Sequence, residues 1–298
     1  MQKKKIRYPA LLLVCMLALL AGTVSAGAEG RTDWANGMIT MTGYGVAPSS
    51  ARTYGQARIQ ARRAAFLDAC RNLAEYVQGI QVTSDTTVRD MAVESDVIQT
   101  HVTALVRGAK IVSETADSDT TYEVTIQVPM FGTTDSLAKA VLTPPVQKEA
   151  FPAPVIVPST PAASAAPSPA PADTSTAAPV PSTAVNLRAV GSYTGLVVDC
   201  RGLGLKPVMS PVIKNEQGQS IYGYKNLDYA KVIANGMAGY TSDINGTVRA
   251  GSHPLVVKAA ALDEFKGNPV LATADANRVL AENQASGFLD NCAVVFVR

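Results

Sequence analysis

The sequence predicts an α+β protein built from two small α/β sandwich domains, each a mainly antiparallel sheet with packed helices. A low-complexity segment separates two regions of ordinary composition: residues 144–184 hold 11 Pro, 11 Ala, 5 Ser and 4 Thr. So little bulky apolar surface cannot offset the entropy of ordering the chain. On both sides of it, strand and helix patterns alternate. We therefore predict domains at 31–143 and 186–298, joined by a disordered linker at 144–185.

The first 26 residues have the form of a secretory signal peptide. Lys3, Lys4, Lys5 and Arg7 precede an apolar run at 10–21, and small residues lead to Ala26. We predict cleavage after Ala26 and a location in the periplasm or cell envelope. An uncleaved anchor is the alternative, although the run is shorter than the roughly 20 residues of a bilayer span. Cys15 follows Val14 rather than a small residue, which disfavours lipid attachment there.

The charge of the exported chain disfavours nucleic acid as a partner. The whole sequence has a formal net charge of +2, but removing residues 1–26 leaves 22 basic against 24 acidic side chains. Nucleic-acid binding relies on clustered Lys and Arg.

The first domain begins with a strand over 38–47, in which Gly43 and Gly45 indicate a bulge or a close backbone neighbour. A long helix over 51–77 follows. Its larger apolar residues lie on one narrow face and its alanines on roughly the opposite side. We expect the larger residues to pack on the sheet and the alanines to admit a second element. The larger residues are Ile59, Phe66, Cys70, Leu73 and Val77.

The remainder of this domain predicts a sheet with a hairpin. Gly79 ends the long helix, and 80–84 alternates as a strand. Residues 85–103 are ambiguous between strand, helix and extended arm. Alternation at 106–114 and 122–128, on either side of a polar loop, predicts a β-hairpin. A short helix should then end at Leu142, before two prolines.

Several stretches of this domain resemble a bacterial outer-membrane lipoprotein family, whose type member is a surface lipoprotein of helicobacters. They span 34–39, 43–47 and 61–69, with Leu73 and Gly108. The region also resembles the N-terminal part of flagellar assembly protein T. The resemblance covers roughly Trp34 to Val128 and implies a structural, surface or flagellum-associated protein without a catalytic centre. The chain departs from the family by lacking a convincing lipid-attachment Cys.

The second domain predicts another α/β or α+β unit. A short strand at 194–198 leads into a glycine-containing turn, and a hairpin joins 211–214 to 220–224. The later predicted elements are a helix at 226–235, a central strand at 255–262, a helix at 274–289 and a buried strand at 292–297. The turn sequence and the closing helix and strand resemble the C-terminal region of larger exported proteins that carry the first domain.

The turn after the first strand of this domain is the main candidate site. It holds Asp199, Arg201, Gly202 and Gly204. Glycines beside a strand can cradle a phosphate, but Lys206-Pro207 followed by another strand removes the helix N-terminus that such loops use. We therefore expect a structural turn fixed by an Asp199–Arg201 ion pair.

Three cysteines follow the leader, so at least one thiol is unpaired. Cys200 and Cys292 lie in the same predicted domain, each beside a strand, and form the candidate disulfide. The alternative is that all three are reduced, buried thiols.

No residue pattern predicts catalysis, a metal or a cofactor. His101 and His253 lie in different domains without ligand-spaced partners. Asp263-Glu264 is an acidic pair at a strand end, more typical of a solvated turn than of an acid–base pair. Four tyrosines form either core or an exposed binding surface: Tyr222, Tyr224, Tyr229 and Tyr240.

The sequence therefore predicts a non-catalytic, exported cell-envelope protein with a structural or interaction role and protein partners, among them flagellar basal-body components. Membrane association would be indirect. A peptidoglycan-binding module is the alternative, based on the length of the tether alone. An envelope hydrolase would need an acidic or nucleophilic cluster that the sequence does not contain.

Overall fold

The computed structural model describes residues 30–118, 120–154, 189, 191–244, 246 and 248–298. The predicted signal peptide at 1–26 and residues 155–185 of the predicted linker lie outside these ranges. Within them the chain forms two α+β units, each organised around its own sheet. The predicted fold class is confirmed.

The first unit is an antiparallel four-stranded sheet of order β1-β2-β4-β3, with helices packed on it. The predicted β3–β4 hairpin and short final helix form, and the ambiguous stretch becomes α2 and α3. Residues 80–84 were predicted as a strand but form a tight loop in which Gln81 makes an isolated bridge to Thr87. The elements are β1 Gly30–Asp33, β2 Met38–Val46, α1 Tyr54–Gln78, α2 Val88–Glu94, α3 Asp96–Arg107, β3 Lys110–Ala116, β4 Thr121–Pro129 and α4 Leu137–Val141.

Helix α1 packs on the sheet mainly through its alanines, so the predicted orientation is wrong for most of the helix, although Leu73 and Val77 are buried as expected. Its buried residues are Ala57, Ala61, Ala65, Ala69, Leu73 and Val77, whereas Ile59 is 60% exposed. The cause lies in β2. A Cβ at Gly43 or Gly45 would collide with the α1 backbone, so the two glycines and the alanine face together allow helix and sheet to approach closely.

The second unit is a seven-stranded mixed sheet of order β7-β6-β10-β9-β5-β11-β8. Strands β9, β5, β11 and β8 run parallel, so a mainly antiparallel sheet was the wrong prediction here. Parallel pairing follows from the long connections between these strands, which contain helices. The elements are β5 Gly195–Asp199, β6 Ile213–Asn215, β7 Ser220–Tyr222, α5 Tyr229–Asn235, β8 Gly239–Thr241, β9 Pro254–Leu262, β10 Pro269–Leu271, α6 Thr273–Ser286 and β11 Val294–Val297.

The two units pack directly against each other. One cluster of buried apolar side chains runs through both of them. Backbone hydrogen bonds cross the boundary: Met209 N–H donates to Gln81 C=O at 3.1 Å, and Ser210 N–H donates to Val82 C=O at 2.7 Å. The sequence predicts separately stable halves, whereas the structure shows halves that share an interior. Apolar residues such as Val82 pack against residues of the other unit. Periodicity within one unit cannot reveal such contacts.

The first residues of the predicted linker, 144–154, lie against the second unit. Glu149 N–H donates to Lys225 C=O at 2.8 Å, and the Asn226 side chain donates to Ala150 C=O at 3.1 Å. The Phe151 ring stacks parallel to Tyr222 at a centroid distance of 6.5 Å. Contacts with the second unit therefore extend beyond the predicted domain boundary.

Among the described helices, none combines the length and the apolar content needed to cross a bilayer.

Candidate functional site

A groove runs along the boundary between the two units, centred on Trp34 and Tyr240. Trp34 lies in the β1–β2 turn of the first unit and Tyr240 in β8 of the second, with their rings edge-to-face at 5.5 Å. The Tyr240 hydroxyl donates to Val208 C=O at 2.9 Å and accepts from Val208 N–H at 3.1 Å. Burial raises the pKa of Tyr240. It therefore serves as a fixed, neutral support for the tryptophan.

The groove has two cavities, and Trp34 and Tyr240 line both. The first cavity, about 670 Å³, is lined by side chains that include Asn36, Asn235, Asn291 and Arg249. The second, about 850 Å³, is lined by residues that include Arg31, Asp33, Gly202, Gly204 and Arg298. Aromatic, amide and guanidinium groups thus dominate the polar chemistry of the groove.

Arg249 is the most constrained charged group of the groove. Its guanidinium donates to Cys292 C=O at 2.8 Å, to Asn235 C=O at 2.7 Å and to Gly236 C=O. The last two carbonyls end helix α5, where a cation is favourable. Burial lowers the pKa of Arg249. No carboxylate within the described ranges forms an ion pair with it.

The predicted Asp199–Arg201 pair is present at the edge of this groove. Arg201 Nε and Nη2 donate to the two carboxylate oxygens at 2.9 and 2.7 Å. Hydrogen bonds from Arg201 lower the pKa of Asp199 to about 2. Gly202 and Gly204 have φ values of +80° and +77°, which favour glycine. Coil rather than a helix follows, so the geometry is that of a structural turn and not of a phosphate loop.

The structure does not join the candidate disulfide pair. Cys200 and Cys292 are both buried, free thiols. In the parallel β5–β11 register, Val294 is paired with Leu196 and Val297 with Asp199, so the cysteines lie at opposite ends of the two strands. At about 3.3 Å per residue, they are on the order of 20 Å apart, beyond the reach of a disulfide. Burial raises the pKa of Cys200 to about 12 and also raises that of Cys292.

The four tyrosines serve the core and the boundary between the units. Tyr222 is buried and donates to Met237 C=O at 2.7 Å. Tyr224 and Tyr229 donate to the carbonyls of Thr143 and Leu142, at 2.7 and 3.2 Å, just after α4.

Sequence reasoning missed the groove. The available signal was an N-terminal tryptophan together with tyrosines concentrated in one part of the second domain.

The other candidate residues lie away from the groove and have structural contacts. Asp263 accepts from the backbone N–H groups of Gly267 and Asn268, at 2.9 and 3.0 Å, and so fixes a turn. His253 stacks on Tyr193 at 5.2 Å, and His101 lies beside helix α4 in a separate cavity. Within the described ranges, no three His, Cys, Asp or Glu side chains are placed to hold a metal ion.

Comparison with protein families identifies the first unit. Residues 34–129 match the LPP20 lipoprotein model. The first unit is an LPP20 lipoprotein domain. Residues 195–298 match the second domain of Treponema pallidum Tp0624. No curated protein matches the chain. The LPP20 match supports the predicted location in the cell envelope. Neither family match bears on the resemblance to flagellar assembly protein T.

The groove belongs to neither domain alone. The first unit contributes Trp34, Asn36 and Arg31, and the Tp0624-like domain contributes Tyr240 and Arg249. A ligand in the groove would therefore contact both domains.

Proposed function

We propose that this protein is a non-catalytic component of the cell envelope that acts by binding other envelope components. The observation that carries the proposal is the junction of an LPP20 domain to a Tp0624-like domain through a shared core. Such an arrangement fixes the relative position of two surfaces, which suits a structural or interaction role.

The chemistry of the reactive side chains supports a non-catalytic role. The carboxylates of Asp199 and Asp263 hold turns. The Cys200 thiol is buried and has a raised pKa, so it is a poor nucleophile at neutral pH. The amide and guanidinium groups that line the groove suit ligand binding rather than proton transfer.

We further propose that the protein assembles with components of the flagellar basal body. This rests on the resemblance of residues 34–128 to the N-terminal part of flagellar assembly protein T. The signal peptide predicted at 1–26 would deliver the chain to the compartment in which such an assembly occurs.

Localisation and swimming test these proposals separately. A tagged copy should fractionate with the envelope, and crosslinking in intact cells should join it to basal-body proteins. A deletion strain should swim poorly, and the wild-type chain should restore swimming. A cytosolic tagged protein would contradict the envelope role, and normal swimming of the deletion strain would remove the flagellar proposal alone.

A further inference from the structure

We propose that the groove between the LPP20 and Tp0624-like domains binds an acidic oligosaccharide, whose sugar rings carry acetamido and carboxylate groups. The proposed envelope function supplies the place where the protein would meet such a ligand, but binding itself depends only on the groove. Pockets between domains are common ligand sites, and both cavities fall within the usual range of about 300–1,000 Å³.

A cation, Arg249, lies in the wall of the first cavity. A guanidinium has five N–H donors, and three of those in Arg249 are used by carbonyls of Cys292, Asn235 and Gly236. No acid of the described residues neutralises it. A carboxylate in this cavity would accept the remaining donors and offset a partly buried positive charge, which gives short, charge-assisted hydrogen bonds.

The second cavity contributes a further cation to the groove. Arg31 is exposed and lines it, together with the acid Asp33. The Asp33 carboxylate accepts from the Asn36 side chain at 2.7 Å and from the N–H groups of Ala35 and Asn36 at 3.0 and 3.1 Å. These bonds lower its pKa and hold the carboxylate in the β1–β2 turn. The balance of the groove therefore favours an anion.

The groove also offers aromatic and amide groups to the uncharged part of the ligand. Trp34 stands between the two cavities on the buried Tyr240, and an aromatic ring offers apolar surface to the C–H faces of sugars. The amides of Asn36, Asn235 and Asn291 are exposed in the first cavity. Because an amide donates and accepts, it matches hydroxyl and acetamido groups. A neutral sugar would use the amides but leave the arginines unpaired.

The fluorescence emission of Trp34 can report ligand binding directly, because Trp34 is the chain's single tryptophan. We would titrate the full exported chain with a tetrasaccharide of alternating N-acetylglucosamine and N-acetylmuramic acid and follow Trp34 emission. Neutral tetra-N-acetylglucosamine and tetragalacturonate serve as comparison ligands. We expect both acidic ligands to bind more tightly than the neutral one. We expect the acetamido-bearing acid to bind most tightly, which separates a wall glycan from other uronic-acid glycans.

Arg31→Gln is the decisive variant, because Arg31 is exposed and its replacement should not disturb folding. Loss of one charge-assisted contact should weaken the acidic ligands by about tenfold and leave the neutral ligand unchanged. Arg58→Gln is the matched control, since Arg58 is exposed on α1 and does not line the groove. Arg249→Lys should weaken binding as well, with circular dichroism as the check on its fold.

The inference is overturned if neutral and acidic ligands bind equally, if calorimetry detects no binding, or if Arg31→Gln behaves like Arg58→Gln. Should Arg249→Lys fail to fold, Arg31→Gln alone decides. A negative titration would leave the envelope localisation and the crosslinks intact. A cytosolic location would instead remove the proposed function and leave the titration unchanged.

Discussion

At the scale of single residues, the turn after β5 shows how two side chains fix a backbone path. Asp199 accepts from the Arg201 backbone N–H at 3.1 Å as well as from its guanidinium. The pair holds the chain where Gly202 and Gly204 adopt positive φ, and these glycines line the second cavity. The local motif was predictable because all four residues lie within six consecutive positions. Its position beside a groove was not, since the first unit supplies the opposite wall.

Asp199→Asn should destabilise the protein at neutral pH but not in strong acid. The folded-state pKa of Asp199 is about 2, below the ordinary value of 3.8. The pair's stabilisation is therefore present above about pH 4 and lost as the pH falls through about 2. Because Arg201 is half exposed, we expect a loss of about 1 kcal/mol at pH 7. Urea midpoints at pH 7 and pH 2 would measure this loss.

Glu264→Gln is the control for that experiment, because Glu264 is exposed and has no ion pair within the described ranges. Its urea midpoint should match that of the wild type at both pH values. A deficit of Asp199→Asn that persisted unchanged at pH 2 would contradict the assignment of the pair as the source of stability.

At the scale of elements, the contact between α1 and the first sheet depends on small residues from both sides. Gly43 and Gly45 face Ala61, Ala65 and Ala69. Helix and sheet therefore approach closely, and Ile59 lies off the sheet face, whereas Leu73 and Val77 near the end of α1 are buried with the alanines.

Gly45→Ala should destabilise the first unit by about 2 kcal/mol. The new Cβ would collide with the backbone of Ala61 and Ala65, and a backbone cannot yield as a side chain can. Gly55→Ala is the matched control, since a Cβ at Gly55 in α1 meets nothing within 4 Å. That variant should be neutral or more stable, because alanine favours a helix. Thermal unfolding compares the two, and equal melting temperatures would refute the close-approach account.

Local signals predicted most elements of the fold. Alternation located both hairpins, and Gly79 ended helix α1 as expected. Strands β8 and β10 were missed because three residues are too few to show a period of two. Strands β6 and β7 are as short but were predicted from the hairpin that joins them. The helix face was assigned wrongly because apolar bulk was taken as the sign of sheet contact. The two glycines of β2 in fact determine which face of α1 can pack on the sheet.

At the scale of the whole molecule, the packing between the domains determines the proposed site. Three kinds of contact cross the boundary. They are the ring contact of Trp34 with Tyr240, the tyrosine hydrogen bonds to the carbonyls just after α4, and the backbone hydrogen bonds that Gln81 and Val82 accept from the second unit. None of these contacts could be read from sequence, because each joins residues that belong to different periodic patterns. The groove exists only while the domains remain docked.

Cleavage between the domains tests the docked arrangement most directly. A specific protease site inserted after Ala170, outside the described residues, would allow the chain to be cut under native conditions. Gel filtration would then be combined with Trp34 emission and circular dichroism. We expect the two fragments to elute together at the volume of the uncut chain, with Trp34 emission unchanged. Two separately eluting, folded fragments would contradict the shared core and remove the groove with it.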